Sequence, residues 1–272
     1  MEHGTQDNPD DGEQALSTPF DSFSLDGHLA LVTGASSGLG AHFARLLVDA
    51  GARVALAARR VDKLLPLQEQ LIAIGGTARS FRLDVTDATS VAGCFDELES
   101  WGVPDIVINN AGVTVTKPLL QQTEADYDAV MDTNLKGCWL VATEAGRRLV
   151  AAGRPGCIVN VASILGERVA GGVAPYAISK AGVIQATKAM ALELARFGIR
   201  VNALLPGYVV TDLNRDFLGS DAGEKLRSRI PARRFGELKD LDGPLLLLAS
   251  AAGVAMTGSV LAVDGGHLVG SL

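Results

Sequence analysis

Residues 33–40 read TGASSGLG, directly after the apolar run HLALVT (28–33) and directly before a segment of helical period. A strand that turns into a helix through three glycines has a mechanical meaning. Gly34 permits a sharp turn, Gly38 lets the backbone approach an anion, and Gly40 lets the helix pack closely on the strand. The amide groups that open the helix are ready donors for phosphate oxygens, with Ser36, Ser37 and Leu39 completing the turn. A dinucleotide site is the functional reading. A purely structural strand-to-helix turn is the plain alternative, because the spacing GxxxGxG departs from the GxGxxG fingerprint.

The rest of the chain repeats the same alternation. Short apolar runs at 28–33, 53–58, 78–83, 105–109, 157–162, 200–205 and 259–264 predict strands. Segments of helical period near 38–50, 61–74, 88–100, 123–151, 175–197 and 239–250 predict helices between them. This rhythm gives an α/β fold, a Rossmann-like, doubly wound, seven-stranded parallel sheet with helices on both faces. Seven strands make one sheet, so the expected organisation is an acidic, flexible extension over residues 1–24 and one catalytic domain over 25–272. Residues 207–238 are expected to be irregular, a length at which loops are commonly functional.

Composition narrows the function. Residues 1–27 carry seven acids and no Lys or Arg, which accounts for the whole net charge of −7; the remaining residues balance. A balanced domain has no electrostatic reason to bind nucleic acid or a membrane surface. The acidic start lacks the apolar core of a signal peptide and the basic character of an organelle presequence. No apolar run approaches the length needed to span a bilayer. Cys94, Cys138 and Cys157 are scattered and odd in number, which suggests reduced, core-filling thiols in a cytoplasmic protein. His3, His28, His42 and His267 form neither a metal set nor a triad with Ser163, which disfavours acyl transfer.

PYAISK (175–180) places Tyr176 and Lys180 four residues apart, on one helical face and about 6 Å apart along the axis. A phenol of pKa near 10 is a poor base at neutral pH, but two positive influences, a neighbouring ammonium and the oxidised nicotinamide ring of a bound dinucleotide, stabilise its anion and turn the pair into a tunable acid/base. Ser163 ends the fifth strand, at the carboxyl edge where open α/β sheets bind ligands. Taken singly, Tyr176 and Lys180 are a routine amphipathic pair and Ser163 a helix cap. Found together beside a dinucleotide turn, they point to a reacting centre. After the second strand, Ala58 stands where an acid would hold a ribose hydroxyl, and Arg59 and Arg60 follow. These arginines, with Ser36, suit a 2′-phosphate and favour NADP(H) over NAD(H), unless AARR merely ends a strand.

TGASSGLG, NNAG (109–112) and YAISK together resemble the short-chain dehydrogenase/reductase family, over about residue 25 to the end. The resemblance implies a catalytic set of Asn134, Ser163, Tyr176 and Lys180, with Asn134 supporting a water relay to the lysine. It implies a cofactor site of Gly34, Ser36, Ser37, Gly38, Leu39, Gly40, Arg59, Arg60, Asp84, Val85, Asn110, Ala111, Gly112, Tyr176, Lys180, Pro206, Gly207, Val209 and Thr211. Asp84 is expected at the adenine, and Asn109 and Asn110 beside the cofactor. Ser163, Leu165, Tyr176 and Tyr208 are expected to meet the substrate, a ketone, aldehyde or secondary alcohol with an apolar body, by hydride transfer. Glu167 and Arg168 are open between solvated loop charges and substrate contacts. The family also contains 3-oxoacyl carrier-protein reductases, although GGVAPY lacks the NxGQxNY pattern associated with them. An NADP(H)-sensing regulator without turnover is the non-enzyme alternative. The family's usual assembly is a homotetramer that pairs the long helices and the C-terminal strands.

Overall fold

A computed structural model describes residues 18–211 and 214–270. Most of the expected extension, residues 1–17, lies outside the described residues; residues 18–24 form a short 3-10 turn at Asp21–Phe23. The seven strands are β1 (Leu29–Thr33), β2 (Arg53–Ala58), β3 (Ala78–Arg82), β4 (Ile106–Asn109), β5 (Gly156–Val161), β6 (Ile199–Pro206) and β7 (Val260–Val263). All pair in parallel, in the order β3-β2-β1-β4-β5-β6-β7. The order reverses between β1 and β4, and in such sheets the ligand crevice opens at the carboxyl ends of the strands flanking that reversal.

Helices cover both faces: α1 (Gly38–Asp49), α2 (Leu65–Ala73), α3 (Ala88–Glu99), α4 (Glu124–Met131), α5 (Gly137–Ala151), α6 (Ala174–Leu194), α7 (Arg215–Leu218), α8 (Asp221–Arg227) and α9 (Asp242–Ala249). Strand alternation sorts the core into two layers. Ala30, Val32, Val54 and Leu56 meet Leu47, Leu67 and Leu245 under α1, α2 and α9. Leu31, Ala55, Val107 and Ile158 meet Phe95, Val141 and Leu149 under α3 and α5. Because both faces of the sheet are covered, the central strands β1, β2, β4, β5 and β6 are near-continuous apolar runs rather than alternating ones, while the edge strand β3 exposes Arg79 and Arg82.

Two expectations need correction. The helix foreseen over 123–151 is interrupted by a π-helical turn, Asp132–Lys136, between α4 and α5. Gly137 follows this turn where a Cβ would stand 2.7 Å from the Val85 side chain, so α5 seats against the end of β3 only through a residue without one. The stretch 207–238 contains α7 and α8 rather than being irregular throughout. Pro175 occupies the second position of α6, where its missing N–H is harmless.

Candidate active site

The glycine turn has the geometry that its sequence requires. Gly34 (φ +65°) and Gly38 (φ +54°) adopt the left-handed conformation that favours glycine. A Cβ on Gly40 would lie 2.3 Å from the Gly34 carbonyl oxygen and 2.5 Å from Asn110 Nδ2, so the turn closes only around a bare α-carbon. Asn110 locks it from the neighbouring strand, donating from Nδ2 to the Thr33 and Gly34 carbonyls, while the Asn110 and Ala111 amides donate to Thr33 Oγ1.

Several features fit a dinucleotide. Ser37 precedes α1 without a side-chain capping bond, leaving the first amides of that helix for an external acceptor. The place of a Cβ on Gly38 is open, with Thr211 Cγ2 at 4.0 Å as its nearest neighbour. Arg59 and Arg60 are exposed at the end of β2, and neither side chain makes a hydrogen bond or ion pair among the described residues. Ser36 is half-buried in the glycine turn. Pro206 ends β6, and Gly207 abuts Asp264, where a Cβ would be 2.8 Å from its Cα. Val209 is buried and bridges Gly236.

Asp84 is not a helix cap; Asp87 caps α3 by accepting from the Thr89 amide. Burial acts to raise the Asp84 pKa, but hydrogen bonds from the Thr86 hydroxyl and amide, with the charges of Arg59 and Arg82, hold it below its ordinary value. Its carboxylate is thus an anionic acceptor at the rim, next to buried Val85. Asn109 points the other way: its side chain is buried and donates to the Cys138 carbonyl and to Asn160 Oδ1, so it is a core residue rather than a cofactor contact.

The reacting candidates converge past β5. The Ser163 hydroxyl accepts from the Leu165 amide at 3.1 Å and is near enough to Tyr176 to favour the phenolate. Lys180 is buried, donates to the Val161 carbonyl at 2.7 Å and lies 5.6 Å from the Tyr176 ring centroid. Desolvation dominates both groups. It raises the Tyr176 pKa above 10 against the opposing Ser163 hydroxyl, with Tyr208 adding a smaller push upward. It lowers Lys180 to about 8. The expected stabilisation of a tyrosinate by Lys180 is therefore not what the protein alone does; burial drives both groups toward neutrality.

Asn134 sits fully buried on the π turn, a conformation frequent at functional sites. It accepts from the Val113 amide (2.8 Å) and donates to the Val113 carbonyl (2.9 Å) and Ser179 Oγ (3.0 Å); Ser179 in turn donates to the Tyr176 carbonyl (2.7 Å). It makes no bond to Lys180, although both border Gly112, at 3.4 and 3.6 Å from the place of a Cβ there. Sequence reasoning missed Ser179, which i, i+3 spacing from Tyr176 could have suggested.

Leu165 and Tyr208 pack with Leu268 around Ile164 and Leu205, so the substrate end does carry an apolar wall. It also carries a polar one. The Tyr208 and His267 rings meet tilted at 5.8 Å between centroids, and Arg168 donates to the His267 carbonyl, so Arg168 is not a solvated loop charge. The three thiols are buried and pushed by desolvation to about 12 for Cys94 and Cys138 and about 11 for Cys157, as core-filling cysteines should be. Among the described residues no acidic, histidine or cysteine cluster could hold a metal, and no helix is long and apolar enough to cross a membrane.

Comparison with known proteins agrees with this geometry. The family model described as "Enoyl-(Acyl carrier protein) reductase" matches residues 34–267. Gluconate 5-dehydrogenase of Gluconobacter oxydans is 38% identical over 251 residues, 92% of this chain and 98% of that protein. D-threitol dehydrogenase of Mycolicibacterium smegmatis is 36% identical over 94% of this chain and 98% of its own length. A 3-oxoacyl-[acyl-carrier-protein] reductase of Staphylococcus aureus is 37% identical over 87% and 96%. Among solved structures, a gluconate 5-dehydrogenase from Burkholderia cenocepacia in complex with NADP and tartrate has a TM-score of 0.89 at 37% identity, covering 93% of this chain and 99% of that one. A short-chain type dehydrogenase/reductase from Mycobacterium marinum has a TM-score of 0.88 at 39% identity, covering 92% and 99%. A shared sheet, glycine turn and length at this level of identity leave one conclusion: the chain belongs to the short-chain dehydrogenase/reductase family.

Proposed function

We propose that the protein is an NADP(H)-dependent oxidoreductase that interconverts a secondary hydroxyl and a ketone on a polyhydroxylated substrate, a sugar acid or polyol. The observation that carries this reading is the cluster at the carboxyl edge, in which Ser163 lies beside Tyr176 and Asn134 reaches the Tyr176 backbone by hydrogen bonds through Ser179. NADP(H), when bound, supplies or accepts the hydride. The glycine turn and the amides opening α1 receive its pyrophosphate; Arg59, Arg60 and Ser36 receive a 2′-phosphate. Asp84, Val85, Asn110, Ala111, Gly112 and the 206–211 segment complete its walls.

Tyr176 is the proton donor to the developing alkoxide in reduction and the acceptor in oxidation, and Ser163 holds that same oxygen by a hydrogen bond. Lys180 binds ribose hydroxyls and supplies positive potential to the phenol. Asn134 is a positioning residue that fixes α6 through Ser179. The polyhydroxylated class is supported by the gluconate and threitol dehydrogenases among the relatives and by the polar wall of Arg168, His267 and Tyr208. It replaces the purely apolar substrate body expected from sequence. Tyr176→Phe is expected to lower turnover at least about 1,000-fold, within reach of lost acid/base catalysis together with lost alignment, and to leave NADPH affinity unchanged. Near-normal turnover by that variant sinks the assignment, and a lower Michaelis constant for NADH than for NADPH sinks the cofactor preference.

The staphylococcal relative keeps a second reading open, reduction of a 3-oxoacyl thioester, which the same assay tests with acyl thioesters beside sugar acids and polyols. Exposed Trp139 and Val150 on α5 and Ile178 and Leu192 on α6 support the homotetramer. Light scattering at the single-chain mass of 28.3 kDa would exclude it.

A further inference from the structure

Arg168 and His267 come from segments about a hundred residues apart and meet at the substrate end of the site. Arg168 follows the 3-10 turn Ile164–Gly166 that Ser163 caps. His267 lies in the tight segment Asp264–Gly270, where the Asp264 carboxylate accepts from the Gly266 and Leu268 amides and so is already engaged. His267 is 5% exposed and its ring meets that of Tyr208, which acts electrostatically on Tyr176. Two features of this corner are unexplained by folding. Buried His267 Nδ1 has no hydrogen-bond partner, and the half-buried Arg168 guanidinium, held by the His267 carbonyl, meets no carboxylate among the described residues.

A buried orphan ring nitrogen is costly, and a guanidinium held beside it without a carboxylate gives an incoming anionic oxygen group donors in the same corner. Burial, then the charges of Arg168 and Arg229 against that of Asp264, hold the His267 ring below its ordinary pKa; a neutral ring with its hydrogen on Nδ1 donates to a carboxylate oxygen. We propose that Arg168, over a floor of His267 and Tyr208, is a specificity-determining subsite that binds the carboxylate of a hydroxy-acid substrate while the secondary hydroxyl faces Tyr176. The guanidinium presents a planar fork suited to a carboxylate. This rests on the dehydrogenase reading given above and names its substrate class.

The test measures oxidation of D-gluconate and of the uncharged alditol D-glucitol with NADP+, in the full-length wild type, Arg168→Gln and Arg168→Lys. Quenching of bound NADPH fluorescence by each compound is measured in parallel and does not need turnover. Loss of one charge-assisted contact is expected to raise KM and the dissociation constant for gluconate about 10- to 100-fold in Arg168→Gln, with kcat little changed. Glucitol parameters should stay within about twofold, and Arg168→Lys should recover part of the gluconate affinity. A loss that is equal for gluconate and glucitol makes Arg168 a loop pin and overturns the subsite, as does wild-type protein that binds gluconate no better than glucitol. If neither compound is oxidised yet gluconate binds selectively through Arg168, the subsite stands and the reaction class falls, so the two readings fail separately.

Discussion

Replacing Lys180 by Met should make the protein without cofactor more stable at neutral pH while abolishing its turnover. Burial lowers the Lys180 pKa from 10.5 to about 8. The unfolded chain therefore binds more protons than the folded one between those values, and stability rises as pH climbs through that window. Below pH 8 the folded protein carries the full cost of a buried ammonium, about 3 kcal/mol at roughly 1.4 kcal/mol for each pKa unit. Methionine removes that cost and leaves the Val161 carbonyl without its donor, which returns about 1–3 kcal/mol. The net expectation at about pH 7 is a variant equal to the wild type or more stable by up to about 2 kcal/mol. The sharper quantity is the pH dependence, because the carbonyl does not titrate. Between about pH 7 and about pH 9.5 the wild type should gain about 2 kcal/mol from this group and the variant none. Urea denaturation of both proteins at both pH values, with two-state fitting and a common slope, measures the double difference directly. Parallel pH dependences in the two proteins would refute a desolvated Lys180, as would full activity in the variant.

The other expectations follow from packing. Gly40→Ala places a methyl 2.3 Å from the Gly34 carbonyl, which overpacking values put at about 1–3 kcal/mol, so its melting temperature should fall by several degrees and NADPH affinity with it; a melting point and affinity matching wild type would show that the turn has slack. Asn134→Ala removes three hydrogen bonds from a buried site and should cost about 2–4 kcal/mol in denaturant titrations together with a fall in kcat, whereas an unchanged kcat would detach the π turn from Tyr176. The three cysteines, with thiol pKa values of about 11 to 12, should resist a disulfide reagent near pH 8 in the folded protein and react only on unfolding; rapid labelling of the native protein would contradict their burial.

The sheet was legible because its central strands, β1, β2, β4, β5 and β6, are buried on both faces, so each appeared as an apolar run with its boundaries close to the observed ones; β2 and its Ala58 end match the expected 53–58. The glycine turn was legible for a related reason. Gly34 and Gly40 are required by a left-handed backbone and by contact with a carbonyl, constraints that leave one residue type. What could not be read depends on contacts between distant segments. A one-residue widening of a helix at 132–136 leaves the apolar period of 123–151 nearly intact, so the π turn and its inward-facing Asn134 carry no local signature. Arg168 and His267 are separately ordinary: one is a charge in a loop and the other a residue after two glycines. Only the fold brings them together. The doublet Asn109–Asn110 shows the same limit within two residues, because successive strand positions face opposite ways and place one in the core and the other on the glycine turn.

The directions of the two central pKa shifts also bear on how the site works. A phenol raised above 10 and an amine lowered to about 8 leave Tyr176 protonated and Lys180 able to lose its charge near neutrality. The protein alone is thus set as a proton donor, the state that reduction of a ketone needs. For oxidation, Tyr176 must accept a proton, and burial opposes that unless positive charge is added beside the phenol. Lys180 cannot supply all of it, since the same desolvation weakens its own hold on a proton. The Ser163 hydroxyl works in the right direction but is outweighed in the protein alone. It follows that the oxidative rate should depend on pH more steeply than the reductive one, rising through the range in which Tyr176 of the loaded enzyme gives up its proton. Reductive turnover should be flat or fall over that range. Parallel pH profiles in the two directions, measured at saturating cofactor, would show that Tyr176 is not the group exchanging the proton.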